Sequence, residues 1–225
     1  SWYSALSDDA WPNNFLSNHD MKRTATRYCF GEDDRRAKVA LAMLLTLKGT
    51  PFIYYGEEIG MRDIPIHKKN DVKDRIGKTF WPLHKGRDGC RAPMQWRNDI
   101  HAGFSRVDPW LPVHKNFKER NVTQQSTDPG SMLNFFKAVV NIRKAHPALQ
   151  KGNFVPLDHQ SPHILSYLRE YEDEVILVVL NFSIRNLDYA LPEGHWIVLL
   201  NEKKNYQSSI NLAPYQVEIL KKLPD

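Results

Sequence analysis

The chain has 225 residues, a formal net charge of +5, and 10 Phe, 9 Tyr and 6 Trp. That length can bury a sizeable core, as one large domain or two small ones, and so rich a supply of aromatics excludes a disordered chain. Lys and Arg are scattered; the densest run, His67 to Arg75, is interrupted by Asp. It reads as a solvated loop, and no nucleic-acid partner is expected.

Phe15-Leu16-Ser17-Asn18-His19-Asp20 follows the turn formers Pro12-Asn13-Asn14. Two apolar residues lead into a polar, ionisable tip, the pattern of a buried strand that delivers chemistry at its carboxyl end. From Arg35 to Leu47 the composition turns helical, with Asp33 or Asp34 to cap the start and Gly49 to end it. From Val39 onward this helix is apolar almost all round, so it must be covered on several sides. Pro51 to Gly56 reads as a second buried strand, ending in Glu57-Glu58. Strand, helix, strand makes a βαβ unit with parallel strands. Such units gather functional groups where strands end, which places Asp20 and the Glu57-Glu58 pair on one rim.

Residues 61 to about 130 show no sustained periodicity, and a loop of that length is usually functional when it carries this many Trp. Trp81, Trp96 and Trp110 either stack on sugar rings or pack the loop down. Ser131 to Lys144 is an amphipathic helix stopped by Pro147. Beyond Gly152 come short strands at Ile164–Leu168, Val175–Phe182, Leu187–Leu191, Trp196–Leu200 and Val217–Leu220, read as an antiparallel sandwich. The shift in composition sets a domain boundary near 150, dividing 1–150 from 151–225.

Cys29 and Cys90 lie far apart, in no pattern that suggests zinc. One disulfide is open to them, but free thiols in a reducing compartment are the simpler reading, which points to the cytoplasm. No stretch approaches a membrane span and no signal-peptide pattern opens the chain, so no membrane partner is expected. The start at Ser1-Trp2-Tyr3, without Met, reads as a piece of something longer. Asn121-Val122-Thr123 and Asn181-Phe182-Ser183 fit the glycosylation pattern, which matters only in a secreted protein.

The ordered series F-L-S-N-H-D, L-K-G-T-P-F-I-Y-Y-G-E-E-I-G-M, G-R-D-G-C-R-A-P-M-Q-W, P-W-L-P-V and N-V-T-Q-Q, with the helix and strands after it, resembles the C-terminal half of an α-glucosidase of the oligo-1,6-glucosidase type, in the α-amylase superfamily (glycoside hydrolase family 13). The resemblance covers essentially the whole chain. It implies an α/β fold: the last two strands and helices of a (β/α)8 TIM barrel, a long loop at about 61–130 over the substrate pocket, then the antiparallel β-sandwich. It implies that Asp20 is the third essential carboxylate, placing the bound glucose and stabilising an oxocarbenium-like transition state. His19 would hydrogen-bond a sugar hydroxyl, Arg87 would close the pocket around the terminal glucose, and Asp88 would join it there. Maltose- and isomaltose-type oligosaccharides are the implied partners; no cofactor and no metal is implied.

Retaining glycosidases need a nucleophilic carboxylate and a general acid roughly 5 Å apart. In the family the nucleophile belongs to a G-x-R-x-D motif and the acid to the strand after it, both ahead of N-H-D, and neither is found in these residues. A barrel takes roughly 250 residues, of which this chain supplies about two strands. Glu57 and Glu58, adjacent on a strand, point to opposite sides and make a poor pair, so a bracing role within the rim is expected of one of them. The expectation is therefore a part of an α-glucosidase that is inactive alone and is completed by the missing N-terminal part or by self-association. Two other readings stand: a non-catalytic carbohydrate-binding or interaction module, and a part of a trehalose synthase or sucrose isomerase.

Overall fold

The structure is a computed structural model that describes residues 10–157, 161–200 and 204–224. The described chain divides into two compact units. One takes residues up to 14, 38–51 and 136 onward; the other takes 15–37 and 52–135.

Strand β1 (Asn13–Phe15) and, after two helices, strand β2 (Thr50–Phe52) are neighbours in a two-stranded sheet. Thr50 N donates to Pro12 O at 2.9 Å, and Asn14 Nδ2 donates to Lys48 O at 2.8 Å. Gly49 turns the chain here with φ +120°; a Cβ at this position would sit 2.4 Å from Pro12 O, so only glycine fits. Both strands are shorter and start earlier than the sequence predicts. Phe15 and Phe52, expected inside, are 53% and 54% exposed, since a sheet of only two short strands leaves much of its faces open to solvent.

Helix α1 (Thr24–Tyr28) is followed by α2 (Arg35–Thr46), close to its predicted span. Asp33 Oδ1 accepts from Arg35 N at 3.0 Å, as a capping residue should. Val39, Ala40, Leu41, Ala42, Leu44 and Leu45 are all buried, as an all-round apolar helix requires.

In the second unit, residues 61–130 form helix α3 (Arg75–Phe80), helix α4 (Val122–Thr127) and short 3-10 turns at Lys69–Asp71, Asp88–Arg91, Ile100–Gly103 and Lys115–Lys118. Two small apolar clusters weld them down. Ile64, Ile66, Val72, Ala92 and Leu111 form one, with Trp81 against it. Ile59, Met61, Met94 and Leu133 form the other. Arg120 joins distant turns by donating to Asp34 Oδ2 (2.7 Å), Glu32 Oε2 (2.9 Å) and Ile59 O (2.9 Å). Low periodicity here reflects many short turns around small cores rather than looseness.

Helix α5 (Met132–Ala145) ends two residues before Pro147, and Pro147 then opens α6 (Pro147–Lys151) at its first turn, where its missing N–H costs nothing. Strands β3 (Asn153–Pro156), β4 (Ile164–Tyr171), β5 (Glu174–Asn181), β6 (Leu187–Ala190), β7 (Trp196–Val198), β8 (Asn205–Tyr206), β9 (Ser209–Leu212) and β10 (Val217–Lys222) follow. They make a six-stranded sheet, β3-β4-β5-β10-β7-β8, and a two-stranded sheet, β6-β9, with antiparallel pairings throughout both. Leu177, Val179 and Leu220 on one face of the large sheet pack with Tyr189, Ile210 and Leu212 of the small one. The opposite face carries Arg169, fully buried, whose guanidinium donates to Thr46 O (2.5 Å), Leu149 O (3.1 Å), Gly152 O (2.9 Å) and Asn153 O (3.3 Å). Burial on both faces explains the unbroken Val-Ile-Leu-Val-Val-Leu run of β5. The strands missing from the sequence reading are β3, β8 and β9. All three lie at sheet edges, where Pro156 in β3 is tolerated.

Candidate active site

The expected site residues lie in the second unit. Just past β1, Ser17 is buried and donates through Oγ to Glu57 Oε1 at 2.6 Å. Thr24 Oγ1 donates to the same oxygen, and Tyr54 N donates to Glu57 Oε2 at 3.0 Å. Glu57 thus braces the segment that leads to His19 and Asp20, the bracing role expected of one of the pair. Burial raises the carboxyl pKa of its neighbour Glu58.

His19 and Asp20 are exposed, with His19 Nε2 3.5 Å from Asp20 Oδ1. Asp20 N donates to Asn18 Oδ1 at 2.8 Å, which ties the N-H-D triplet into a turn. Two arginines converge on one oxygen of Asp20: Arg87 Nη1 at 2.8 Å and Arg91 Nη2 at 3.0 Å. The Arg87 hydrogen bond foremost lowers the pKa of Asp20 below the ordinary carboxylate value, so the group is ionised at neutral pH. Arg91 also donates through Nε to His19 O at 2.8 Å, and Cys90 Sγ donates to the same carbonyl at 3.4 Å. The 3-10 turn at Asp88–Arg91 brings Arg87 and Arg91 to one side. Arg91 stands in the same G-R-D-G-C-R motif as Arg87, and the motif is the one signal in the sequence that points to it.

Asp88 does not stand beside them. It was expected at the pocket, but it is 0% exposed, and its Oδ2 accepts from Lys73 N (2.6 Å) and Asp74 N (2.9 Å). Its Oδ2 serves two backbone donors under the loop and its Oδ1 is buried without a partner, so neither oxygen lines the cavity beside Asp20. Asp74 lies inside the stretch read as a solvated loop, yet it too is buried. Its carboxylate takes the Arg87 guanidinium in a fork, Nε to Oδ2 and Nη2 to Oδ1, both at 2.9 Å. It also accepts Arg87 N at 2.8 Å, and that arginine holds its pKa far below the usual range. Arg87 is raised in turn, by Asp74 first and Asp20 second.

A cavity of about 390 Å³ opens beside Asp20, with Asp63, Ile64, His84, Arg87 and Cys90 on its walls. Burial raises the pKa of Asp63, which accepts Arg23 N at 2.9 Å. Arg23 is buried, donates to Tyr55 O at 2.6 Å, and stacks over the rings of Tyr55 and Tyr54 at 4.6 and 5.1 Å. Tyr55 Oη donates to Ala92 O at 2.6 Å, which ties the turn after β2 to the arginine-bearing loop. Trp96 and Trp110 are about half exposed, whereas Trp81 packs against an apolar cluster. Cys29 and Cys90 are free thiols. Asn121, in one glycosylation pattern, is buried and accepts Gln124 N at 2.9 Å as the cap of α4; Asn181, in the other, is also buried. Among the described residues no group of acidic, His and Cys side chains could hold a metal ion, and no helix is long and apolar enough to cross a membrane.

Residues 1–152 match the family model of the alpha-amylase catalytic domain, and residues 154–219 match that of the maltogenic amylase C-terminal domain. An oligo-1,6-glucosidase of Halalkalibacterium halodurans is 33% identical over 97% of this chain and 44% of its own length. A probable oligo-1,6-glucosidase of Bacillus subtilis is 36% identical over 86% of this chain and 38% of its own. An isomaltulose synthase variant of Erwinia rhapontici, solved with its natural substrate sucrose, superposes with a TM-score of 0.83 at 32% identity, over 96% of this chain and 44% of that one. The chain spans less than half the length of these relatives. With its N-H-D turn, its arginine-bearing loop and its C-terminal antiparallel sheet, the chain belongs to the alpha-amylase family.

Proposed function

We propose that the chain is part of an α-glucosidase, in which Asp20 stabilises the transition state at the terminal glucose. The observation that carries this reading is the convergence of Arg87 and Arg91 on Asp20 at the edge of a cavity. An ionised carboxylate fixed by two guanidinium groups meets a sugar ring without reorganising, and its charge favours the positively charged, distorted ring of the transition state. His19, exposed beside it, donates to or accepts from a ring hydroxyl. Arg87 closes the pocket at the non-reducing end, which gives release of single glucose units from maltose- and isomaltose-type substrates. Arg91 acts with Arg87. Asp88 serves by supporting the loop beneath them.

On this reading β1 and β2 are the last two strands of a (β/α)8 barrel that ends near residue 150, and residues 151–225 form the following β domain. The nucleophilic Asp and the general acid Glu lie outside these residues, so the chain alone turns nothing over; the remaining part of the barrel, or a second copy, completes the site. The free thiols Cys29 and Cys90 suit a cytoplasmic location. A second reading, isomerisation of sucrose, is favoured by the likeness to isomaltulose synthase. Product analysis with sucrose separates the two.

The test uses the full chain. Isomaltose is titrated while the His19 ring and the side-chain N–H signals of Arg87 and Arg91 are followed by NMR, and glucose release from maltose and isomaltose is assayed in parallel. The expected result is a response at these three residues, lost in Asp20→Asn, with no glucose released by either protein. No response with sugar at about 10 mM, equivalent to roughly −2.7 kcal/mol or weaker binding, would overturn the sugar-binding reading. Glucose release that disappears in Asp20→Asn would overturn the claim that the catalytic pair lies elsewhere.

A further inference from the structure

Arg87 touches Asp20 through one nitrogen only, and its other two guanidinium nitrogens and its backbone N–H all go to Asp74. A flexible side chain that must meet an exposed carboxylate would otherwise sample many rotamers, and a planar fork is the geometry that removes this freedom. We propose that Asp74 is a positioning residue of the site, aiming Arg87 at Asp20 before any sugar arrives. The inference deepens the sugar-binding reading above and rests on it for its functional meaning.

The surroundings of Asp74 are built for this task. It sits at the N-cap of α3, where its Oδ1 also accepts Ile76 N at 3.3 Å, so its backbone is set by the helix start. Asp88, the residue after Arg87, reaches back to grip the backbone N–H groups of Lys73 and Asp74. The two ends of the loop are thereby crossed: Asp88 holds the backbone of Asp74, and the side chain of Asp74 holds Arg87. Gly86 has φ +77°, and a Cβ there would lie 2.9 Å from Asp74 Oδ2 and 3.0 Å from Gly77 Cα. In α3, a Cβ on Gly77 would lie 2.6 Å from Lys85 O. Two glycines therefore let the backbone before Arg87 approach Asp74 closely enough for the fork to close. A charge pair serving stability alone would need neither the crossed backbone grips nor the free arm that Arg87 extends to Asp20.

Two variants test this without removing the loop. Asp74→Asn keeps the shape and loses the charge; Asp74→Ser keeps a capping oxygen for α3 but is too short to fork Arg87. The titration midpoint of Asp20 is read by carbon-detected NMR in the full chain, in these two variants and in Arg87→Ala, with far-UV dichroism as the check on folding. The groups facing Asp20 are His19, Arg87 and Arg91, and only the orientation of Arg87 should change. The expected result is an upward shift of the Asp20 midpoint in both Asp74 variants, reaching the value found in Arg87→Ala. A midpoint that stays at the wild-type value or falls in both Asp74 variants would show that Arg87 finds Asp20 unaided, and would overturn the proposal. The sugar reading is scored separately: if isomaltose leaves the His19 and Arg91 signals of the wild-type chain unmoved while the Asp20 midpoint still follows Asp74, that reading falls and the positioning role stands.

Discussion

Arg169 offers the sharpest energetic test of the C-terminal sheet. Replacing it by Ala takes the guanidinium protons from the carbonyls of Thr46, Leu149 and Gly152 in the buried interior and from that of Asn153 at its margin. Hydrogen bonds to charged groups contribute about 1.5–3 kcal/mol each, so even at the low end four of them sum to about 6 kcal/mol. The variant no longer buries a guanidinium, which offsets part of that loss and leaves an expected destabilisation of about 3–5 kcal/mol. For a chain of this size that corresponds to a fall in Tm of roughly 6–20 °C. Urea unfolding followed by far-UV dichroism measures it, with an unchanged slope as the sign that only stability has moved. Arg169→Lys keeps the charge but cannot reach all four carbonyls, so it should lose a large share of the same energy. A loss below about 1 kcal/mol for the Ala variant would refute the view that these carbonyls depend on Arg169.

Two further outcomes concern Glu218 and Gly86. Glu218, on β10, is 7% exposed, with Oε1 accepting from Gln216 Nε2 and Oε2 without a partner. Its carboxyl pKa is raised by burial, so the folded protein holds that proton more tightly than the unfolded chain. Stability should therefore be greatest below the ordinary glutamate value and should decline as pH rises through the folded pKa. Glu218→Gln should remove that decline and add about 1–2 kcal/mol near neutral pH, and an unchanged pH profile of the unfolding midpoint would refute this. Gly86→Ala forces a Cβ onto the Asp74 carboxylate at a φ that side chains disfavour. It should cost about 1–3 kcal/mol and weaken the Arg87 contact to Asp20, checked by thermal melts and by the Asp20 titration.

The long elements were legible because their patterns are redundant. Eight apolar residues in α2 and the unbroken run in β5 survive any local ambiguity, and both elements lie within a residue of their predicted ends. A bracing role for one of Glu57 and Glu58 was anticipated, but from a pleat the structure lacks: both stand in the turns after β2, and nothing in the sequence chose Glu57 of the two. The short strands β8 and β9 were not, since two to four residues carry too little pattern to separate from a turn. Asp74 and Asp88 show a different limit. In sequence, Asp74 is one acid in a Lys-rich run, and Asp88 is one letter of a motif that implies ligand contact. Their burial is decided by crossed hydrogen bonds between positions 73–74 and 87–88, which no periodicity records. Arg91 stood in plain view, but its approach to Asp20 depends on the tight turn that follows Arg87.

The crossed bonds between Asp74, Arg87 and Asp88 have a bearing on how such a site can change over time. Within residues 73–91 the arginine is splinted by its own loop, and only its outer arm depends on the rest of the unit. Insertions or deletions elsewhere between positions 61 and 130 can alter what the loop covers without altering where that arm points. A chain built this way can vary the wall that meets the rest of a ligand while it keeps the same grip on the carboxylate.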